Sequence, residues 1–177
     1  MKKRIFLLIV GLVILAAASA LTMTVLIPLV KYNQAAASLN DGRYEEAITV
    51  FADLGDYKDS LEKLMEARYR AAEAKLNEGM YEQAMQEFSE LVSYRDSSER
   101  YREARFLWGK SLMDGGAYRA ALEQFILDME YYGVRGQIER IYKEAGQNGE
   151  IAVAYDAAAA LRDFEGITRL NLQVIAA

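Results

Sequence analysis

Any chemistry in this sequence has to run on carboxylates. There are 26 Asp and Glu residues, no His and no Cys. Without His, the commonest general base and the commonest transition-metal ligand are missing. Without Cys there is no disulfide, thiolate nucleophile, iron–sulfur cluster or Cys-based zinc site. Two carboxylates acting on a glycosidic bond must face one cleft about 5–10 Å apart. Glu45-Glu46 is the pair that invites this reading. Neighbouring residues on a helix point about 100° apart, however. One period later the pair has become Glu82-Gln83. Acids in a first helical turn also suit the helix dipole. No Gly-rich phosphate loop, serine nucleophile motif or calcium-loop spacing occurs. The expectation is a protein with no catalytic residue, metal ligand or cofactor.

The charges are unevenly placed. Lys2, Lys3, Arg4 and Lys31 flank an uncharged run from Ile5 to Val30. From Tyr32 onward 17 cations meet 26 anions, a balance of −9. Such a domain does not attract nucleic acid through its overall field. Arg95, Arg100, Arg102 and Arg105 lie close in sequence, but Asp96, Glu99 and Glu103 alternate with them, as on a mixed, solvated helix face.

The run Ile5–Val30 is 26 residues, or about 39 Å as a helix. Hydrocarbon is about 30 Å thick, so the run is long enough to span it with tilt. Pro28 falls in its last turn, where a lost hydrogen bond matters least. The Lys2-Lys3-Arg4 cluster favours a cytoplasmic N-terminus and a domain on the outer side. The alternative is a cleavable signal peptide with Ala18-Ser19-Ala20 as its small-residue site. Against cleavage, hydrophobicity continues for ten residues past Ala20. Both readings export the domain, and no Cys lies beyond the run to take a lipid anchor.

Past Lys31 the sequence repeats itself. Residues 32–68 and 69–105 align without a gap at a period of 37, with 18 identities. A third copy begins at Phe106 and keeps Gly116, Tyr118, Ala121, Phe125 and Tyr131 in register. A period in this range signals stacked helical units. Each copy reads as helix, turn, helix. The first helix ends near Gly42, Gly79 or Gly116, and the second starts at Tyr44, Tyr81 or Tyr118. Helical spacing joins Tyr44, Ala47, Phe51 and Leu54, and likewise Tyr81, Ala84, Phe88 and Leu91. Small Ala47, Ala84 and Ala121 permit close helix approach beside the bulky Phe51, Phe88 and Phe125. A second punctuation comes after these helices, Tyr57-Lys58-Asp59-Ser60 and Tyr94-Arg95-Asp96-Ser97. Asp59 and Asp96 each precede a Glu by three residues, the spacing of a capping box. Long helices are expected over about Ser60–Asn77 and Ser97–Met113. Beyond Tyr132 the repeat decays, and three short helices are expected, near Val134–Ala145, Glu150–Leu161 and Phe164–Val174.

Gly-x-Tyr-x-x-Ala-x-x-x-Phe, after a helix with small residues such as Ala35 and Ala72, resembles the tetratricopeptide repeat family. The Tyr-Lys/Arg-Asp-Ser linkers look like a variant found in bacterial membrane-anchored proteins. The resemblance covers Tyr32 to about Tyr132. It departs from the family in its period of 37 rather than 34 and in lacking a Pro that closes each repeat.

The resemblance implies an all-α fold: one transmembrane helix and then a right-handed superhelix of helical hairpins. It divides the chain into residues 1–31 as anchor, 32–133 as three repeats (32–68, 69–105 and 106–133), and 134–177 as a degenerate helical capping region. It further implies a concave groove lined by the first helices. By register that groove presents Tyr32, Ala36, Leu39 and Asn40, then Glu66, Tyr69, Glu73, Leu76 and Asn77, then Glu103, Phe106, Lys110, Met113 and Asp114. The sharpest candidates are Tyr32, Asn40, Tyr69, Glu73, Asn77, Phe106, Lys110 and Asp114. Tyr32, Tyr69 and Phe106 would dock apolar anchors of a peptide, or else pack between hairpins. Asn40 and Asn77 would bond a peptide backbone, or else only help to end their helices. Trp108, the sole Trp, would mark a partner pocket or a core ring.

The expected function is a membrane-anchored, extracytoplasmic protein–protein interaction scaffold that binds a peptide or protein, not nucleic acid. One alternative is a self-associating structural membrane protein. Another is an exported carboxylate-dependent enzyme acting on the cell wall.

Overall fold

A computed structural model describes residues 2–91 and 93–162, and every regular element in it is helical. The elements are α1 (Lys2–Leu21), a π-helical turn (Thr22–Leu26), α2 (Ile27–Asn40), α3 (Tyr44–Leu54), α4 (Ser60–Asn77), α5 (Tyr81–Glu90), α6 (Ser97–Asp114), α7 (Tyr118–Ile126), α8 (Val134–Gln147) and α9 (Ile151–Leu161). The chain divides into two compact units, Met1–Ala71 and Ala72–Ala177, with the boundary inside α4.

The first unit begins with the apolar run. It is long and apolar enough to cross a membrane, and none of it is buried against the rest of the protein. An apolar helix that packs on nothing is not a core helix. The helix continues past the run as far as Asn40, so Pro28 stands inside a long helix rather than at its end. Proline removes an amide and crowds the carbonyl four residues back. The turn immediately before it is widened to π geometry, with the Ile27 amide donating to the Thr22 carbonyl. The Ser19, Thr22 and Thr24 hydroxyls donate to the carbonyls of Ala16, Ala18 and Ala20. These extra donors suit backbone that lies in hydrocarbon.

After the anchor, α2 and α3 form the first hairpin. Its core is Ala35, Leu39, Ala47 and Phe51, closed by Ala67 of α4, with Tyr32, Tyr44, Ile48, Leu54 and Leu64 at its margin. In the second unit, α5 packs on α6, α6 on α7, and α8 on α9. The cluster of Met113, Tyr118, Ala121, Leu122, Phe125, Val134, Ile138, Ile141, Ala145, Val153, Ala154, Ala157 and Ala158 runs through α6 to α9. Stacked neighbour-to-neighbour packing of this kind is the mark of a helical solenoid.

One turn geometry recurs. Gly42, Gly79, Gly116 and Gly149 have φ of 78°, 77°, 78° and 82°. In each case the next amide reaches the carbonyl five residues back: Arg43 to Ser38, Met80 to Lys75, Ala117 to Leu112 and Glu150 to Ala145, at 2.8–2.9 Å. This is the Schellman ending, and it needs a residue that tolerates positive φ. Its fourth occurrence makes α8 and α9 a fourth hairpin, although the last glycine comes 33 residues after the third. The expected helix Phe164–Val174 lies outside the described residues.

The linkers between hairpins correct the capping assignment. Asp96 does stand at the N-cap of α6, but its side chain makes no capping hydrogen bond. The Asp59 carboxylate instead accepts the Tyr32 hydroxyl. The ordering group is the serine one residue later. Ser60 and Ser97 are fully buried, and each hydroxyl donates to the carbonyl of Tyr57 or Tyr94 at 2.6 Å. Capping competes poorly here, because Lys58 and Arg95 turn the chain with φ of 52° and 49°. The third linker replaces Asp-Ser by Gly133-Val134. Gly133 supplies the positive φ at 83° and Val134 takes the buried position.

Candidate partner-binding face

In the first unit, Tyr32 opens the hairpin core. Its ring meets Phe51 edge-on at 5.8 Å and Tyr57 at 6.2 Å, and Lys58 Nζ lies 4.6 Å from its centroid. Hydrogen bonding from Tyr32 holds the Asp59 carboxyl below the usual carboxylate range. Farther along α2, Ala36 and Leu39 pack into the hairpin, while Asn40 is exposed as the last helical residue. Tyr69 is only 5% exposed, so its ring is part of the interior. Glu66 accepts from Lys63 at 2.8 Å and from Arg70 at 2.6 Å. These two cations, Lys63 foremost, hold its carboxyl below the ordinary value.

In the second unit, Glu73 is half-buried and accepts from Arg100 at 2.7 Å. Arg100 also donates to Glu103 at 2.7 Å, so one guanidinium ties α4 to α6. Leu76 and Met113 are buried. Phe106 tilts against Phe125 at 5.9 Å and Tyr131 at 5.4 Å, and Lys110 Nζ stands 5.9 Å over the Phe106 ring. Asn77 and Asp114 are exposed and end α4 and α6, and Asp114 meets Arg140 at 3.3 Å.

The aromatic candidates therefore differ from the polar ones. Tyr32 and Phe106 spend their rings on the phenylalanine of their own hairpin, because a first-helix aromatic points across the hairpin rather than out of it. Asn40, Asn77 and Asp114 occupy one repeat position and leave their side chains open to solvent.

Two features carry no clear signal in the sequence. Arg102 grips Asp128 with two bonds, at 2.6 and 3.1 Å, and its guanidinium lies 5.1 Å from the Tyr131 ring. Such bidentate pairs fix geometry. The partners are 26 residues apart, and no repeat places that acid elsewhere. The second feature is a pair of clefts in this unit. One, of about 320 Å³, is bordered by Phe88, Ser89, Ser98, Tyr101 and Arg102. The other, of about 280 Å³, is bordered by Gly79, Met80, Tyr81, Glu82, Gln83, Trp108 and Ser111. Trp108 thus lines a cleft while half-buried. Its being the only Trp is the one hint of that cleft.

No protein-family model, no curated protein and no solved structure matches this chain.

Proposed function

We propose that this protein is a membrane-anchored, extracytoplasmic scaffold that holds a peptide or protein partner and performs no chemistry of its own. The observation that carries the reading is an unburied apolar helix running without a break into the first helix of a hairpin core. Anchor and domain are one rod at that point, so whatever the hairpins bind is held at the bilayer. The Lys2-Lys3-Arg4 cluster supports a cytoplasmic N-terminus and an outer domain. The tetratricopeptide-like spacing supports recognition by the first helices. In the second unit that face is Asn77 and Asp114, open to solvent, together with the Trp108 cleft, which offers an aromatic wall beside polar groups.

Two measurements test this. Protease added outside intact cells should digest the domain beyond Tyr32, and protection until the membrane is opened refutes the outer placement. Partner capture from the native membrane should weaken about tenfold when Asn77 and Asp114 are changed together to Ala, or about 1.4 kcal/mol. Exposed Gln86→Ala on α5 is the control. If the control disrupts capture and the pair does not, the face is misplaced.

A second reading, self-association, draws on one observation. Ile126, Leu127 and Tyr132 expose apolar surface at the end of α7 and just beyond it, Tyr132 at 93%. Changing all three to Ser should turn a defined oligomer in detergent into a monomer if a second copy covers them.

A further inference from the structure

The first unit has an edge that the scaffold reading does not use. Lys31 is the first charged residue after Arg4, so the apolar span ends where α2 begins its hairpin. Tyr32 comes next. Helix side chains lean towards the N-terminus, so the Tyr32 ring reaches back to the height of Val30. At that height it holds the α3–α4 connection. Its hydroxyl donates to Asp59, its ring meets Tyr57, and the Lys58 ammonium lies 4.6 Å from the Tyr32 ring and 5.5 Å from Tyr57. Beside this connection Leu61, in the first turn of α4, is 52% exposed. On the helix itself, Leu26, Ile27, Val30 and Lys31 border a shallow cleft of about 210 Å³.

We propose that the edge from Tyr57 to Leu61, with Lys31, rests in the interfacial layer of the bilayer, and that its partner is a zwitterionic phospholipid surface. The inference relies on the membrane-anchor reading and adds a second point of contact to it. Tyrosine suits this layer because its body is apolar and its tip is polar. Lysine stems lie along apolar surface while their ammonium groups reach phosphate. Leu61 gains by leaving water.

Charge selects the kind of lipid. Asp53, Asp56, Asp59 and Glu62 stand among Lys31, Lys58 and Lys63, so the edge carries both signs and is not basic overall. A purely anionic surface would repel the acids. A headgroup with both phosphate and ammonium satisfies both sets. Two contacts, the span and this edge, fix how the first hairpin stands. Asn40 lies eight residues beyond Tyr32 on the same helix, about 12 Å farther from the bilayer.

The absence of Cys makes the test clean. Leu61→Cys, Asn40→Cys and Leu12→Cys are each made in the full chain and labelled with one fluorophore. Each is then reconstituted into phosphatidylcholine vesicles whose acyl chains are brominated either near the headgroup or near the bilayer centre. The label at residue 61 should lose fluorescence with shallow bromination, the label at 12 with deep bromination, and the label at 40 with neither. If residue 12 is quenched and 61 is not, the edge does not touch the bilayer and the proposal falls while the anchor stands. If 61 and 40 are quenched alike, contact is not confined to this edge, and the proposal also falls. If residue 12 is not quenched, the anchor reading fails and this inference fails with it.

Discussion

Gly109 of α6 lies so close to the Phe125 ring of α7 that a Cβ there would stand 2.6 Å from it. The two are one pair in a series. Ala35 with Phe51, Ala72 with Phe88 and Gly109 with Phe125 occupy the same two repeat positions. In the fourth hairpin, with its shift to 33 residues, these positions hold Tyr142 and Ala158. The large residue has moved from the second helix to the first. Both belong to the cluster that fills the second unit, so the volume is kept and the side from which it comes is reversed.

Gly109→Ala should destabilise the protein. Helix propensity favours Ala by about 1 kcal/mol, but overpacking a filled site costs about 1–3 kcal/mol, and the ring cannot shift freely at 1% exposure. Combining Gly109→Ala with Phe125→Leu should recover part of the loss. Urea unfolding of the two variants checks this. A single variant more stable than the parent would show that the ring moves aside without cost.

The reversed pair makes a sharper test. Ala158→Phe alone should be destabilising, since Ala158 is fully buried and Tyr142 fills the space opposite by register. Tyr142→Ala alone should leave a cavity costing about 3–5 kcal/mol at most. The double change should cost less than the sum, because the volume is restored in the arrangement of the other three hairpins. A double-mutant cycle measures the coupling. Strict additivity would mean that the two side chains do not share one space.

The buried serines should matter more than the aspartates that precede them. Ser60→Ala and Ser97→Ala each remove a buried hydrogen bond and should cost about 1 kcal/mol. Asp96→Ala should stay within about 0.5 kcal/mol, as exposed substitutions usually do. Chemical denaturation ranks them, and a large loss at Asp96 with none at Ser97 would restore the aspartate to the capping role.

Acid should weaken the first unit through Asp59. The Tyr32 hydrogen bond lowers the folded-state pKa of this carboxyl below its ordinary value. Its stabilising contribution is therefore present above the ordinary value and is lost as pH falls through the folded one. Tyr32→Phe removes the bond. The stability difference between parent and variant should be seen at neutral pH and should shrink towards zero in acid. A difference that persists in acid would trace to ring packing rather than to the ionised pair.

The sequence by itself determined the hairpins. A period of 37, glycines where the chain must take positive φ, and an Ala–Phe alternation at helical spacing are local signals, and each acts within one turn or one hairpin. They placed α2 to α7 and the uncharged span before them. Only the tertiary structure decided the rest. The fourth hairpin was hidden because its core is kept in volume rather than in residue type, with Tyr142 and Ala158 reversing the order of large and small. The serine, not the aspartate, orders each Asp-Ser linker because burial sets which hydroxyl must find a partner, and burial is a property of the packed hairpins. Of the eight face candidates, Tyr32, Tyr69 and Phe106 turned inward while Asn40, Asn77 and Asp114 stayed open. Repeat spacing fixes where a residue sits on its helix. Which neighbour fills the space beside it depends on side-chain volumes that only three dimensions bring together.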